Sequence, residues 1–329
     1  MSTAPPHDDQ LAVPVIDITS FRMPYADAAA RARVVREVDR AARTVGFMQV
    51  IGHGIHPVTR DAFTGVTDAF FALDPQTKQR YRCPPGVNRG YTPPKAGSLA
   101  NGLVSPAGLF EALSVGSPGA GFTGLGLADD GYAPSVYPAR EVPGFEAAVT
   151  AWFEAAGRVA RAMTRIFGVA LGGREDYFTA AEGRPADVLR VNNYRLPGPG
   201  AVLPPGQLGL GAHTDDGLVT VLWADRVPGL EIHGPDGRWH PVMPAGGALL
   251  VNLGDAIARW TNGEWISPLH RVTPPRVRGA LVPRRSAAYF HDGSLRDGGG
   301  GDFHDGSFHD GSDGAVVAVL PGSARLDRV

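Results

Sequence analysis

Gly211-Ala212-His213-Thr214-Asp215-Asp216-Gly217 is the stretch on which the reading of this chain turns. His213 and Asp215 are two apart, so on a strand both side chains leave the same face. Far downstream, after Val251-Asn252-Leu253-Gly254-Asp255, the run Leu269-His270-Arg271-Val272 offers a second imidazole with strand-like neighbours. Taken alone, His-x-Asp is commonplace, and a strand histidine is more often merely hydrogen-bonded. With His270 it becomes a candidate set of three metal ligands, two imidazoles and one carboxylate. Three ligands on one face of an octahedron leave positions open for other molecules.

Working outward, Arg284-Arg285-Ser286 opens the next strand-like run. Parity puts Arg284 and Ser286 on one face with Ala288, Phe290 and Asp292, and likewise groups Arg190, Asn192 and Tyr194. A guanidinium beside a hydroxyl makes a fork for a carboxylate, to which Tyr194 can add a second hydroxyl. Each residue also has an ordinary explanation: a surface salt bridge, a strand-edge hydroxyl, a core ring. It is their joint order that argues against those explanations.

These residues sit among short β-type runs at 189–196, 218–223, 230–233, 248–253, 270–273 and 285–290, separated by Gly and Pro. Regular short strands with turn signals indicate a sandwich or barrel, and a double-stranded jelly roll fits. The first half differs. Helical periodicity covers 28–45, 57–73, 75–81 and 143–169, with short strand patterns at 13–18, 46–51 and 108–115. Those early strands lack partners of their own, so one mainly β domain with flanking helices is expected over 1–329. Its parts are a helical and strand region at 13–180, a jelly-roll core with the metal site at 181–291, a Gly/Asp/His-rich low-complexity loop at 292–314, and a C-terminal segment at 315–329. The Gly/Pro-rich stretch at 84–107 and the segment 116–138 read as loops, the latter long enough for a lid. Phe-His-Asp-Gly-Ser occurs three times, at 290–294, 303–307 and 308–312. A duplicated loop explains it, so His291, His304 and His309 are not taken as ligands.

The totals exclude several classes. The formal charge of −2 gives no electrostatic reason for a nucleic-acid partner. The single cysteine, Cys83, rules out an internal disulfide and fits a reducing cytoplasm. Residues 1–10 lack the apolar centre of a signal peptide, and no apolar run reaches membrane-spanning length. Lys78 and Lys95 are the only lysines, an arginine bias that hints at a bacterial source.

With these motifs assembled, the chain resembles the isopenicillin N synthase-like family of Fe(II)/2-oxoglutarate-dependent oxygenases. The segments that carry the likeness are Val13-Pro14-Val15-Ile16-Asp17, Gly46 to Ile55, Leu189-Arg190-Val191-Asn192-Asn193-Tyr194, Gly211 to Asp215, Asn252-Leu253-Gly254-Asp255, Thr261-Asn262-Gly263, Ser267 to Val272, and Arg284-Arg285-Ser286. The resemblance implies a distorted double-stranded β-helix flanked by helices. It implies Fe(II) on His213, Asp215 and His270, and 2-oxoglutarate held by Arg284, Ser286, Tyr194 and Asn192. It further implies that O2 and 2-oxoglutarate are consumed to oxidise a substrate C–H bond by hydroxylation, desaturation or cyclisation, releasing succinate and CO2. An oxidase with the same triad but no 2-oxoglutarate is one alternative, and a non-catalytic jelly-roll binding protein is another.

The prime substrate is a small molecule that the sequence barely encodes. Arg190, Asp216, Phe290, Asp292 and Phe110 are the pocket candidates, with 88–92 and the loop after Phe110 as lids. Arg190 either meets an anionic or polar substrate group or pairs with an acid. His53 and Asp255 read as turn residues, and His233 and His240 as surface residues flanking a hairpin. A monomer is expected, with a homodimer the alternative, in a specialised-metabolism pathway.

Overall fold

The computed structural model describes residues 11–82, 89–94, 98–100, 103–105, 109–117, 134–178, 187–194, 203 and 205–292. Cys83, Asn88, most of the 116–138 loop, the repeat beyond Asp292 and the final segment lie outside these residues. The first half comprises β1 (Val15–Asp17), α1 (Thr19–Arg22), α2 (Ala28–Thr44), β2 (Phe47–Ile51), α3 (Pro57–Ala72) and α4 (Pro75–Gln79), then β3 (Gly90–Thr92), β4 (Ser98–Ala100), β5 (Leu103–Ser105), β6 (Glu111–Gly116) and α5 (Phe145–Ala170). The second half comprises β7 (Val188–Tyr194), β8 (Leu210–His213), β9 (Val219–Ala224), β10 (Leu230–His233), β11 (Trp239–Pro241) and β12 (Leu249–Leu253), then α6 (Asp255–Trp260), β13 (His270–Val272), β14 (Arg276–Val277), β15 (Ala280–Leu281) and β16 (Arg284–His291).

Local chemistry explains the helix limits. The Asp27 carboxylate accepts from the first amides of α2 (Ala29 and Ala30), and Asp74 accepts from Thr77 in α4. Pro57 and Pro75 open α3 and α4, where a missing N–H costs nothing. Gly46 stops α2 in the left-handed region at φ 68° and passes its N–H to Ala41 O. A Cβ there would collide with Ile266 O, so only glycine lets β2 follow directly.

An eight-stranded sheet runs β1-β2-β12-β9-β16-β7-β6-β3, and a four-stranded sheet runs β11-β10-β13-β8. Alternation divides each strand of the large sheet between two cores. Leu249, Val251 and Leu253 join Ala287, Tyr289, Val191 and Val221 against α2, α3 and α5. Leu250, Phe47 and Tyr194 instead face Leu230, Ile232 and Val272 of the small sheet. Each such fully buried large side chain contributes about 1.5–3 kcal/mol. Two facing sheets with helices on one outer side make the distorted double-stranded β-helix that the resemblance implies, and the jelly roll that fits the strand pattern.

The early strands find partners in the second half. β2 pairs antiparallel with β12, with Phe47 opposite Asn252, and β1 adds parallel to β2. Three sequence readings need correction. Gly90–Thr92 and the β4–β5 hairpin fall in a stretch read as loop, because runs of three residues carry no measurable alternation. His291 belongs to β16 rather than to a loop; it is 2% exposed, and its Nδ1 meets Asp187 Oδ1 at 2.8 Å. His240 is not a surface residue. It is buried, donating from Nε2 to Asp236 Oδ1 at 2.9 Å and accepting at Nδ1 from Leu11 N at 3.2 Å. His233, across the same hairpin, is exposed as expected.

Candidate metal centre and anion clamp

His213 ends β8 and His270 opens β13, and the two are direct cross-strand partners with ring centroids 4.2 Å apart. Asp215 lies two residues beyond the end of β8, in an irregular segment that α6 holds in place. Asp255 N donates to Asp215 O at 2.7 Å, Ala256 N to Asp216 O at 2.9 Å, and Thr214 Oγ1 to Asp255 Oδ2 at 3.0 Å. A Cβ at Gly254 would collide with Gly217 O, which explains the Gly-Asp step before α6. Asp255 is therefore a positioning residue at the first turn of α6.

The ligand atoms of His213, Asp215 and His270 lie within 4.8 Å of one another. Asp215 Oδ1 is 3.7 Å from His213 Nε2 and 3.8 Å from His270 Nε2. Every other polar atom of the trio is already engaged. His213 Nδ1 meets Gly211 O at 2.9 Å and His270 Nδ1 meets Pro268 O at 2.9 Å. A carbonyl only accepts, so both Nδ1 atoms carry the proton and both Nε2 lone pairs stay free. Asp215 Oδ2 accepts from Thr220 Oγ1 and Asn252 Nδ2, each at 2.6 Å, which leaves Oδ1. Burial and the neighbouring His270 hold the His213 imidazole below its usual range. Burial alone would raise the Asp215 carboxyl, but the two imidazoles and the two hydrogen bonds hold it low. Two bare imidazole nitrogens and one carboxylate oxygen converging on one space suit a divalent transition metal with open coordination positions.

Thr220 and Asn252, which hold Asp215 Oδ2, are not among the site residues expected from the sequence. Thr220 was legible as the polar side chain within the apolar run of β9, and Asn252 only as part of a motif.

The second group lies on the inward face of β7 and β16. Arg284 pairs with Tyr194 and Ser286 with Asn192 in the ladder. Arg284 is 2% exposed, yet its Nε and Nη1 have no hydrogen-bond partner, and its guanidinium lies 5.1 Å from the Tyr194 ring centre. Burial pushes the Tyr194 phenol up, against the pull of Arg284 and of hydrogen bonds with Ser286 and Asn192, so it remains a neutral hydroxyl. Gly229 packs against the Arg284 stem and Gly209 against the Tyr194 ring. A buried, unpaired cation is costly, and a carboxylate supplies what it lacks.

The pocket candidates divide. Arg190, opposite Ala288, carries its guanidinium 5.7 Å above Phe110, and its Nε donates to Asn192 Oδ1 at 3.3 Å. No acidic side chain pairs with it among the described residues. Burial works against its charge, and that charge in turn disfavours protonation of His213. Phe110 also packs on Tyr194 at 5.5 Å. Phe290 is half-buried opposite Thr220. Asp292 sits against Gly217, and burial together with Asp187 pushes its carboxyl up to about 6. Asp216 is exposed at the rim, its carboxyl raised by partial burial and by Asp255. Tyr91 is no lid residue: β3 is paired into the sheet edge and its hydroxyl donates to Glu111 Oε2 at 2.7 Å. His53 has both ring nitrogens bound, to Gly247 O and Ile55 N, as a turn residue should.

Comparison with known proteins gives concordant matches. Residues 13–135 match the N-terminal region of non-haem dioxygenases in morphine synthesis, and 186–293 match the 2OG-Fe(II) oxygenase superfamily. The chain is 32% identical over 293 residues to gibberellin 20 oxidase 1-B of Triticum aestivum, covering 88% of this chain and 74% of that protein. It is 30% identical over 295 residues to the 2-oxoglutarate-dependent dioxygenase citB of Monascus ruber, covering 86% and 85%. The crystal structure of Neurospora crassa T7H in complex with alpha-KG superposes with a TM-score of 0.74 at 26% identity, covering 89% of this chain and 88% of that one.

Proposed function

The chain belongs to the isopenicillin N synthase-like family of 2-oxoglutarate/Fe(II) oxygenases and is an O2-consuming dioxygenase, and on that premise we propose which of its residues do what. His213, Asp215 and His270 hold Fe(II) through Nε2, Oδ1 and Nε2. Arg284, Ser286, Tyr194 and Asn192 hold the far carboxylate of 2-oxoglutarate. When bound, Fe(II) and 2-oxoglutarate supply the oxidant from O2, releasing succinate and CO2 while a substrate C–H bond is oxidised.

The chain's own residues place and insulate that chemistry. Gly211 O and Pro268 O fix the tautomers of the two imidazoles. Thr220 and Asn252 aim one oxygen of Asp215 and occupy the other. The apolar pair Phe47 and Leu250 lies between the sheets and keeps water away from the clamp. The observation that carries the 2-oxoglutarate assignment is the buried Arg284 guanidinium with two donors unmet beside a neutral Tyr194. Anaerobic addition of 2-oxoglutarate to the Fe(II)-loaded enzyme is expected to give a weak visible charge-transfer band. No band, together with no succinate under air, would sink the assignment.

Substrate contacts fall to Arg190, Phe110 and Phe290, with Asp292 set in beside Gly217 and Asp216 at the rim. Since Arg190 has no acidic partner among the described residues, it is free to meet a carboxylate or carbonyl of the prime substrate. A screen of small acids and carbonyl-bearing heterocycles for stimulated succinate release tests this. Stimulation by hydrocarbons alone would reject the role of Arg190. The arginine bias supports a bacterial source and the single cysteine a reducing cytoplasm, and the enzyme acts as a monomer in specialised metabolism. Pairing of β2 with β12 supports a single oxygenase unit.

A further inference from the structure

A crevice of about 460 Å³ lies on the outer side of the large sheet, away from the metal centre. Its separation follows from register. Trp223 is opposite Ala287, so its side chain leaves the face that Ala287 and Tyr289 share, not the face of Arg284 and Ser286. It also stands toward the far end of β9 from Thr220, the residue that touches Asp215. We propose that this crevice is a second binding site, and that it takes a small aromatic carboxylate.

Two indoles form the walls. Trp152 of α5 stacks on Phe63, with centroids 4.8 Å apart and planes 10° apart, and meets Trp223 edge-on at 6.3 Å. Ile55 and Leu249 extend the apolar lining. The walls are rigid. His53 is bonded at both ring nitrogens, and Arg285 lies 5.7 Å from the Trp223 ring centre, tied to Asp68 at 2.5 Å and to Asp225 at 3.5 Å. Crevices of this size, largely apolar with a few polar groups, are where small ligands bind, and aromatic walls favour a flat ring.

The polar groups give the sign of the ligand's charge. Arg226 is exposed at the crevice and has no ion-pair partner among the described residues. Arg60, also in the lining, is paired only with its neighbour Asp61, at 2.8 Å. Arg22 adds a third cation nearby, donating to Gly52 O at 2.9 Å. Asp225 is only partly met: Oδ2 accepts from Arg285 N at 2.9 Å and faces the Arg285 side chain, while Oδ1 is buried without a partner, so the ligand's carboxylate belongs on the Arg226 and Arg60 side of the crevice. Trp152 Nε1 is a buried donor without a partner. One unmet donor and surplus cations around an aromatic slot complement a ring bearing a carboxylate.

The test uses the full chain loaded anaerobically with Fe(II) and saturating 2-oxoglutarate, so that the clamp is already occupied. 1-Naphthoate is titrated while tryptophan fluorescence is followed. Saturable quenching is expected, and 1-naphthalenemethanol, the same ring without the charge, should bind about tenfold more weakly or worse. Arg226→Glu, at an exposed position that leaves folding intact, should weaken naphthoate by at least about tenfold. Ala245→Trp, which fills the crevice, should remove the saturable phase while circular dichroism stays native. Arg190→Ala, in the other pocket, should leave the titration unchanged. Absence of saturation in the wild type would overturn the proposal. So would a titration weakened by Arg190→Ala and indifferent to Arg226→Glu, since the naphthoate would then sit over the metal.

Discussion

The two faces of β16 differ in how completely their polar groups are satisfied. On the face toward the helices, Tyr289 packs edge-on to Phe153 at 4.9 Å, and its hydroxyl donates to Asp187 Oδ2 at 2.5 Å. Gly157 of α5 leaves the room that this hydroxyl needs. On the face toward the small sheet, two strand positions away from Ser286, Arg284 is buried with two donors unmet. The helix-facing side keeps one unmet ring nitrogen, His291 Nε2, whereas the other side leaves a buried cation with two donors unmet. The lesson is that the Tyr289 packing and the Arg284 clamp are segregated by strand parity, and each can be attacked without the other.

The largest effect should come from the clamp side. His213→Ala is expected to abolish Fe(II) binding and cut turnover by far more than the roughly 10–100-fold typical of lost outer partners. The metal-free protein should stay within about 1 kcal/mol of wild-type stability. Near-normal turnover in iron-supplemented buffer would break the contrast. Next, Arg284→Ala should cost about 2–4 kcal/mol of 2-oxoglutarate affinity, read by titration. Because it removes an unpaired buried charge, the metal-free protein should melt no lower than wild type. A lower melting temperature with intact 2-oxoglutarate affinity would reverse the assignment of the face. Tyr289→Phe probes the helix-facing side. It strands Asp187 Oδ2 and should cost about 1–3 kcal/mol in denaturant unfolding, with 2-oxoglutarate affinity unchanged.

The smallest effect is a slope in pH. Burial holds His53 below its usual range despite its bond to Gly247 O. Unfolded His53 takes up a proton below about pH 6.5 before the folded form does, so stability present above that pH is lost as the pH falls toward the folded value. His53→Asn should flatten that part of the melting-temperature profile for the metal-free protein. An unchanged slope would mean that other groups set it.

Much of this was legible where chemistry follows local pattern. Alternation in the runs 189–196 and 285–290 groups Asn192 with Tyr194 and Arg284 with Ser286, and the ladder then sets the two pairs against each other. The three residues expected to share a metal do converge, with Asp215 lying past the end of β8 in an irregular segment tied to α6. Contacts between distant segments were not legible. His240 looked like a hairpin-rim residue because nothing local announces that Leu11 will cover it. Asp225 gains its partner only because β9 lies beside β16. The crevice walled by Trp152 and Trp223 joins a helix to a strand that no periodicity relates.

The pairing of Phe47 with Asn252 carries a kinetic implication. Asn252 steadies Asp215, and its own strand is sandwiched between β9 and a partner synthesised near the start of the chain. Such long-range closure raises contact order and slows assembly. The C-terminal half expressed by itself would leave one edge of β12 unpaired and prone to association. Co-expression of the missing N-terminal piece, rather than added iron, should be what rescues it.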